Sequence, residues 1–361
     1  MKGGSATKII LDVIATNAMK CVKHDDASFA SLEEVKAAFA NYREVLDTVY
    51  ENEFSTQLGK VAHVAGESLR KNGHIYYIGS NIAGVIALID ASECPPTYGA
   101  AFTDVITFVD NGFEALGQAP HASLTKDNGG TAGQEATAVD WSSVSLNTFI
   151  QNYVPCLTDK DIVIGVSIPT SDSSTSALKS AKQAMKGYQC SYFELQVTSL
   201  AESGDSDAEL HLALPHCGEK IGDVFTTSYA EFGMKLVLNT ISTIAHIMKG
   251  CIFQNRMINL AVTNAKLFRR TLQIIQDLAH VERKEAYSCL LRAIYRKDDV
   301  SDVEPLDISD HVTAAAGTSK VVPLALVLAA GHQNKWSCAD AENLIDQEPV
   351  LRVSLSKLFK D

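Results

Sequence analysis

Five short strand-like segments, separated by helical or loop stretches, constrain this chain more than anything else in it. His74-Ile-Tyr-Tyr-Ile78, Val105-Ile-Thr-Phe-Val109 and Asp161-Ile-Val-Ile-Gly-Val166 are almost wholly apolar, and Cys190 to Thr198 and Glu209 to Leu214 read as two more strands. A strand that is apolar on both faces is covered on both faces. Helical patterns fall between them, over Ile82 to Ser92, Leu146 to Val154 and Ser176 to Lys186. Pro95-Pro96 is expected to stop the first of these. Strands alternating with helices predict an α/β fold, a parallel sheet flanked by helices in three αβα layers.

The flanks are helical. Ile9, Ile10, Val13, Ile14 and Ala18 recur near helical spacing within residues 7–20. Ser31-Leu-Glu-Glu reads as a capping box for a helix running to about Tyr50, and a further helix from about Thr56 to Lys71 stops at Asn72-Gly73. Beyond Tyr229 the pattern predicts helices over Glu231 to Lys249 and Asn255 to Ala279. A charged insert from Asp298 to Thr318 follows, then helices over Val321 to Ala330, Cys338 to Asp346 and Val350 to Phe359. Together they predict a C-terminal all-α cap domain. The segment from Gly117 to Gln134 reads as a long loop. One internal repeat relates Lys8-Ile-Ile-Leu-Asp-Val-Ile-Ala-Thr to Lys235-Leu-Val-Leu-Asn-Thr-Ile-Ser-Thr.

With 361 residues the chain exceeds one ordinary domain. Lys plus Arg is 31 against 43 Asp plus Glu, a net charge of −12, which argues against nucleic acid or an anionic membrane as partner. A small anion can still be held by backbone amides at a helix N-terminus. The eight cysteines form no CxxC pair and read as reduced, mostly buried small hydrophobes. No apolar run is long enough to span a bilayer. Asp12 and Asn17 interrupt the only signal-like stretch. A cytoplasmic protein is expected. The histidines show no metal spacing and no dinucleotide fingerprint is visible, so neither metal nor cofactor is expected.

Asp90-Ala-Ser-Glu-Cys-Pro-Pro-Thr-Tyr-Gly99, with Gly79 and Gly84 before it, closely resembles the signature of the N-acetylmuramic acid 6-phosphate etherases, enzymes built on the sugar-isomerase (SIS) domain. Lys235 to Thr243 and Val262-Thr-Asn-Ala-Lys-Leu267 match two more segments of that family. The helical tail and its insert are similar to the second half of the glucokinase regulatory protein family, whose members carry two tandem SIS domains and a helical cap. Met1-Lys-Gly-Gly-Ser-Ala-Thr-Lys8 resembles the end of a first SIS domain. The resemblance therefore implies four parts. Residues 1–22 are the last helix of a first SIS domain otherwise missing here, and 23–55 are a helical linker. Residues 56–250 are the second SIS domain, and 251–361 are the cap.

The resemblance also implies the site. Glu93 stands where the etherases place an acid/base carboxylate, and Asn264 and Lys266 stand where the family reaches a sugar phosphate. Lys2 and Ser5 lie in the matching segment of the first domain, and Gly79 and Ser80 in the phosphate turn. That turn is degraded here, because Ile82 and Ala83 replace the family's Thr and Ser, and Val85 its Arg. The second family loop reads Ser167-Ile-Pro-Thr-Ser-Asp-Ser-Ser174, without Arg and with Asp172 added. A third segment has become Ser228-Tyr-Ala-Glu-Phe-Gly-Met234. The implied function is a degenerate half-site for a sugar phosphate, a fructose phosphate or N-acetylmuramic acid 6-phosphate, completed by the first SIS domain. The alternatives are half of an etherase that releases D-lactate, or a scaffold that regulates a hexokinase-type sugar kinase. SIS domains pair, so a homodimer of this chain is a further expectation. If Glu93 trades a proton, partial burial is expected to raise its pKa.

Overall fold

The computed structural model describes residues 32–50, 52–110, 112, 144–168, 175–199, 210–214, 222–331, 336–347 and 350–359. The helix expected over 7–20, Ser31, the loop from Gly117 to Gln134 and most of the second family loop lie outside them. The chain divides into two compact units. One holds residues 1–91 and 105–242, the other 92–104 and 243–361.

The first unit opens with helices α1 (Leu32–Tyr50) and α2 (Asn52–Arg70). The second ends as predicted. Asn72 takes a left-handed φ of 58°, and Gly73 N–H donates to Ser68 O at 2.8 Å, closing the last turn. Five parallel strands follow: β1 (Ile75–Gly79), β2 (Val105–Val109), β3 (Ile162–Ser167), β4 (Ser191–Ser199) and β5 (Leu210–Leu214). Their order is β2-β1-β3-β4-β5, with Gly79 paired to Val109 on one side and Val166 on the other. Every residue of β1 and β3 is buried, as their unbroken apolar runs require.

Helices α1 and α2 pack on the sheet, α2 against β1, β3 and β5. A second cluster lies under Tyr76, Ile78, Phe108 and Val163, built from Leu146, Phe149 and Val154 together with Leu178 and Ala181 of helix α4 (Thr175–Ala184) and Met185 just after it. The expected helix over Leu146 to Val154 is not one regular element. It is a single α-turn (Leu146–Thr148), a π-turn (Phe149–Tyr153) and a 3-10 turn (Val154–Cys156). Pro155 cannot donate a helical hydrogen bond, so the last turn tightens.

Helix α3 (Asn81–Tyr98) follows β1 and does not stop at the proline pair. Proline's fixed φ suits a helix; what it loses is one amide donor. Pro95 and Pro96 thus lack the amide donors that would otherwise face Ala91 and Ser92 one turn back. Cys94 and Tyr98 are nonetheless buried, and Gly99 N–H closes the final turn onto Pro95 O at 2.9 Å. Helix α5 (Gly222–Lys249) begins earlier than its apolar pattern predicts and takes in the whole Ser228 to Met234 segment.

The second unit departs further from its sequence reading. In place of a helix from Asn255, a two-stranded hairpin of β6 (Ile252–Phe253) and β7 (Arg256–Met257) forms first. Helix α6 (Ala265–Ala279) then starts at an Asn264 cap. Gln254 and Asn255 both take left-handed φ values, 42° and 59°, which make the turn and exclude helix there. Helix α7 (Arg283–Tyr295) was not anticipated, and the charged insert contains a helix of its own, α8 (Ile308–Ala315). Helix α9 (Val321–Ala330) is apolar on every side and forms the centre, packed by α6, α7, α10 (Cys338–Gln347) and α11 (Leu351–Leu358). Among the described residues no helix is long and apolar enough to cross a membrane.

Candidate functional site

In a doubly wound sheet of this order, ligands favour the crevice beyond the carboxyl ends of β1 and β3, where the chain switches direction across the sheet. Gly79, Ser80 and Ser167 stand there. Gly79 and Gly84 are needed for packing. A Cβ on Gly79 would lie 2.6 Å from Val166 Cγ2, and one on Gly84 would lie 2.9 Å from Val109 Cγ1. Asn81 takes a left-handed φ of 50° to turn the chain into α3. Ser80 is buried and so is Ala83. The turn is a tight strand-to-helix junction whose glycines serve contact between strand and helix.

The remaining candidates separate by unit. Glu93, Asn264 and Lys266 all belong to the second, and Gly79 and Ser80 to the first. Lys2 and Ser5 lie outside the described residues. Glu93 is on the last part of α3 and is exposed, so the partial burial expected of it is not found. Asn264 is the N-cap of α6, its Oδ1 accepting from Leu267 N–H at 2.9 Å. Lys266, the second residue of that helix, is exposed, with Arg269 and Arg270 following. The motif helix and the cap segment meet just before these residues. Asn259 Nδ2 donates to Gly99 O at 3.2 Å, and Gly99 has a φ of 63°. A Cβ at Gly99 would fall 1.9 Å from Asn259 O, so the close approach demands glycine.

Each unit also holds buried charges that sequence reasoning missed. Asp90, which opens the motif, has Lys235 Nζ 3.3 Å from its Oδ1 and receives the Tyr77 hydroxyl at 3.4 Å. In the second unit Lys249 donates to Asp104, whose Oδ2 also accepts from Ala101 N–H at 3.1 Å. The fully buried His246 stacks on Tyr98 at 4.4 Å, and the Tyr98 hydroxyl meets Thr243 Oγ1 at 2.8 Å. One signal was available. Asp90 and Lys235 interrupt apolar helical faces, and a charge at a core position needs a partner. Burial pushes the Cys251 thiol up to about 11, against the pull of Lys249. A thiol held there stays protonated at neutral pH. Among the described residues no group of three or more His, Cys, Asp or Glu side chains is placed to hold a metal ion.

Two family models match the chain. Residues 53–191 match the second SIS domain of glucokinase regulatory protein, and residues 254–355 match the C-terminal lid domain of the same protein. Human glucokinase regulatory protein is 30% identical over 339 residues, covering 91% of this chain and 51% of the relative. The Xenopus laevis protein of the same name is 27% identical over 338 residues, with the same coverage. An N-acetylmuramic acid 6-phosphate etherase of Gloeothece citriformis is 30% identical over 238 residues, 66% of this chain and 70% of the relative.

The five-stranded parallel sheet and the helical unit are thus an SIS domain and its C-terminal lid. The chain belongs to the SIS-domain family that contains the glucokinase regulatory proteins and the N-acetylmuramic acid 6-phosphate etherases. It spans about half the length of the glucokinase regulatory proteins it matches.

Proposed function

We propose that this chain is the SIS-and-lid module of a phosphosugar-binding protein, supplying Glu93, Asn264 and Lys266 as a half-site that a further SIS domain completes. One observation carries the reading. The Asn259–Gly99 hydrogen bond ties the segment leading to Asn264 and Lys266 to the end of the helix that bears Glu93. Lys266 offers a point charge for a phosphate near the N-terminus of α6, where the helix dipole also favours an anion. Asn264 Oδ1 is engaged in its cap, so a ligand contact there falls to Nδ2. The relatives' greater length is consistent with a further SIS domain, and Lys2 and Ser5 are assigned by this reading to the tail of that domain, residues 1–22.

The tight turn at Gly79 favours a binding role over a complete catalytic one, since Ile82 and Ala83 offer no hydroxyl there. The ligand is a fructose phosphate or N-acetylmuramic acid 6-phosphate, and a hexokinase-type sugar kinase is the partner suggested by the relatives' name. Calorimetric titration of the protein with each phosphosugar tests the proposal. Lys266→Ala is expected to weaken binding about tenfold or more, the loss of one charge-assisted contact. Unchanged affinity in that variant would refute the half-site. The intact Ser92-Glu-Cys-Pro-Pro96 motif supports a second reading, etherase chemistry in the assembled protein. Lactate release abolished by Glu93→Gln is its signature.

A further inference from the structure

Helix α6 carries three cations on one face of its first two turns. Lys266, Arg269 and Arg270 stand three and four residues apart, and all three are exposed. Among the described residues none of them is paired with a carboxylate. Arg270 Nη2 instead lies 3.7 Å from Met257 Sδ of β7, an uncharged thioether. Other cations of the same unit are neutralised. Arg256 meets Asp277 at the far end of α6 itself, Arg292 meets Asp298, and Lys320 meets Asp346. Carboxylates are not in short supply, at 43 Asp plus Glu against 31 Lys plus Arg in the whole chain. Folding stability does not explain the cluster. Like charges three and four positions apart on a helix repel one another. The positive end of the helix dipole disfavours cations in the first turn. A ligand with at least two negative groups reverses both penalties.

The extent of the face decides what that ligand is. Its cations end at Arg270, the next turn presents the neutral Gln273, and Asp277 lies a turn beyond. Two turns of helix span about 11 Å, the scale of one small molecule rather than of a nucleic-acid strand or a long acidic segment. The guanidinium groups of Arg269 and Arg270 match the geometry of a phosphate, which their planar forks can hold by paired hydrogen bonds. A phosphate on Lys266 leaves them one helical turn away, within reach of a second phosphate across a single sugar. We propose that α6 reads two phosphates, that the preferred ligand of the half-site is a sugar bisphosphate, and that Arg269 and Arg270 determine this specificity. The inference rests on the phosphosugar half-site, in which Lys266 takes the first phosphate.

Calorimetric titration at fixed ionic strength tests the inference. The protein is titrated with fructose 6-phosphate, fructose 1-phosphate, fructose 1,6-bisphosphate and inorganic pyrophosphate. The bisphosphate is expected to bind about tenfold or more tighter than either monophosphate, the gain of further charge-assisted hydrogen bonds. Arg269→Gln combined with Arg270→Gln should remove that advantage, its affinity for the bisphosphate falling more than its affinity for the monophosphates. Both positions are exposed and Gln is as good a helix former as Arg, so the variant is expected to fold. A bisphosphate that binds no tighter than the monophosphates, or an advantage that survives the double substitution, would overturn the inference. Neither result touches the half-site, which Lys266→Ala tests separately through its effect on the monophosphates. Pyrophosphate binding as tightly as the bisphosphate would show a contact that reads charge without sugar and overturn the inference equally. No binding of any sugar phosphate would remove the inference and the half-site together.

Discussion

Lys235 Nζ lies 3.3 Å from Asp90 Oδ1, joining two charges that are 145 residues apart in the chain and almost wholly withdrawn from water. Only 1% of the Asp90 side chain and 13% of the Lys235 side chain remain accessible. Removing one member of such a pair leaves the other charge buried and uncompensated, at a cost of roughly 3–5 kcal/mol. Lys235→Met is therefore expected to lower unfolding free energy by about that amount in a urea titration. Asp90→Leu combined with Lys235→Met should recover most of it. A double variant no better than the single one would show that the ion pair is not what holds these helices.

Gly99→Ala should destabilise the protein by about 2 kcal/mol or more, from a strained backbone and a clash with Asn259 O. It should also weaken phosphosugar binding, although Gly99 offers no side chain to a ligand, because the displaced segment leads to Asn264 and Lys266. Thermal unfolding and ligand titration of the same variant check both effects. Normal affinity in a destabilised protein would separate the contact from the site.

His311 gives the lid a pH dependence. It is fully buried, with the Tyr287 hydroxyl 2.9 Å from Nε2, the Tyr295 hydroxyl 3.0 Å from Nδ1 and the Phe268 ring stacked on it. Desolvation lowers its pKa, and the nearby Asp310 and Asp307 oppose that only in part. The folded state thus binds the proton less readily than the unfolded one. Stability from this group is complete above the ordinary histidine value, about 6.5, and falls as pH drops through and below it. In unfolding measurements between neutral and mildly acid pH, His311→Phe should be less stable throughout but show a flatter slope. An unchanged slope would assign the pH dependence elsewhere.

At the opposite edge of the sheet from the ligand crevice, Asp161 does similar work with the opposite charge. Its carboxylate accepts from Thr158 N–H and Oγ1, both at 2.8 Å, and from His74 N–H at 2.9 Å. Burial raises its pKa, but these hydrogen bonds prevail and hold it below the usual carboxylate value. Its contribution is present above about pH 4 and is lost as pH falls through the depressed folded value. Asp161→Ala should cost roughly 3 kcal/mol at neutral pH and show less additional loss in acid.

The sheet was legible because its strands are buried on both faces, and burial on both faces leaves a continuous apolar run. Helix α9 was visible for the same reason. Helix α7 was not, because Arg283, Lys284, Glu285 and Arg292 break up its apolar residues and blur the helical period. The proline pair misled because propensity concerns a helix alone, whereas the last turn of α3 carries two buried side chains, Cys94 and Tyr98. The hairpin at Ile252 depends on two left-handed residues that are not glycine, which composition does not announce. At the candidate site, Glu93 and Lys266 are proposed from a resemblance. The contacts Asp90–Lys235 and Gly99–Asn259 pair residues more than a hundred positions apart, a relation that no local pattern encodes.

The lid is not a cassette. Its unit draws on residues 92–104 as well as 243–361, and the family's lid segment begins only at 254. A gene fragment cut at that point would leave behind Tyr98 with its partner Thr243, and Asp104 with its partner Lys249. Grafting this lid onto another SIS domain therefore means transplanting two pieces of one chain together, and a recombination event that moves only the tail would deliver an incomplete module.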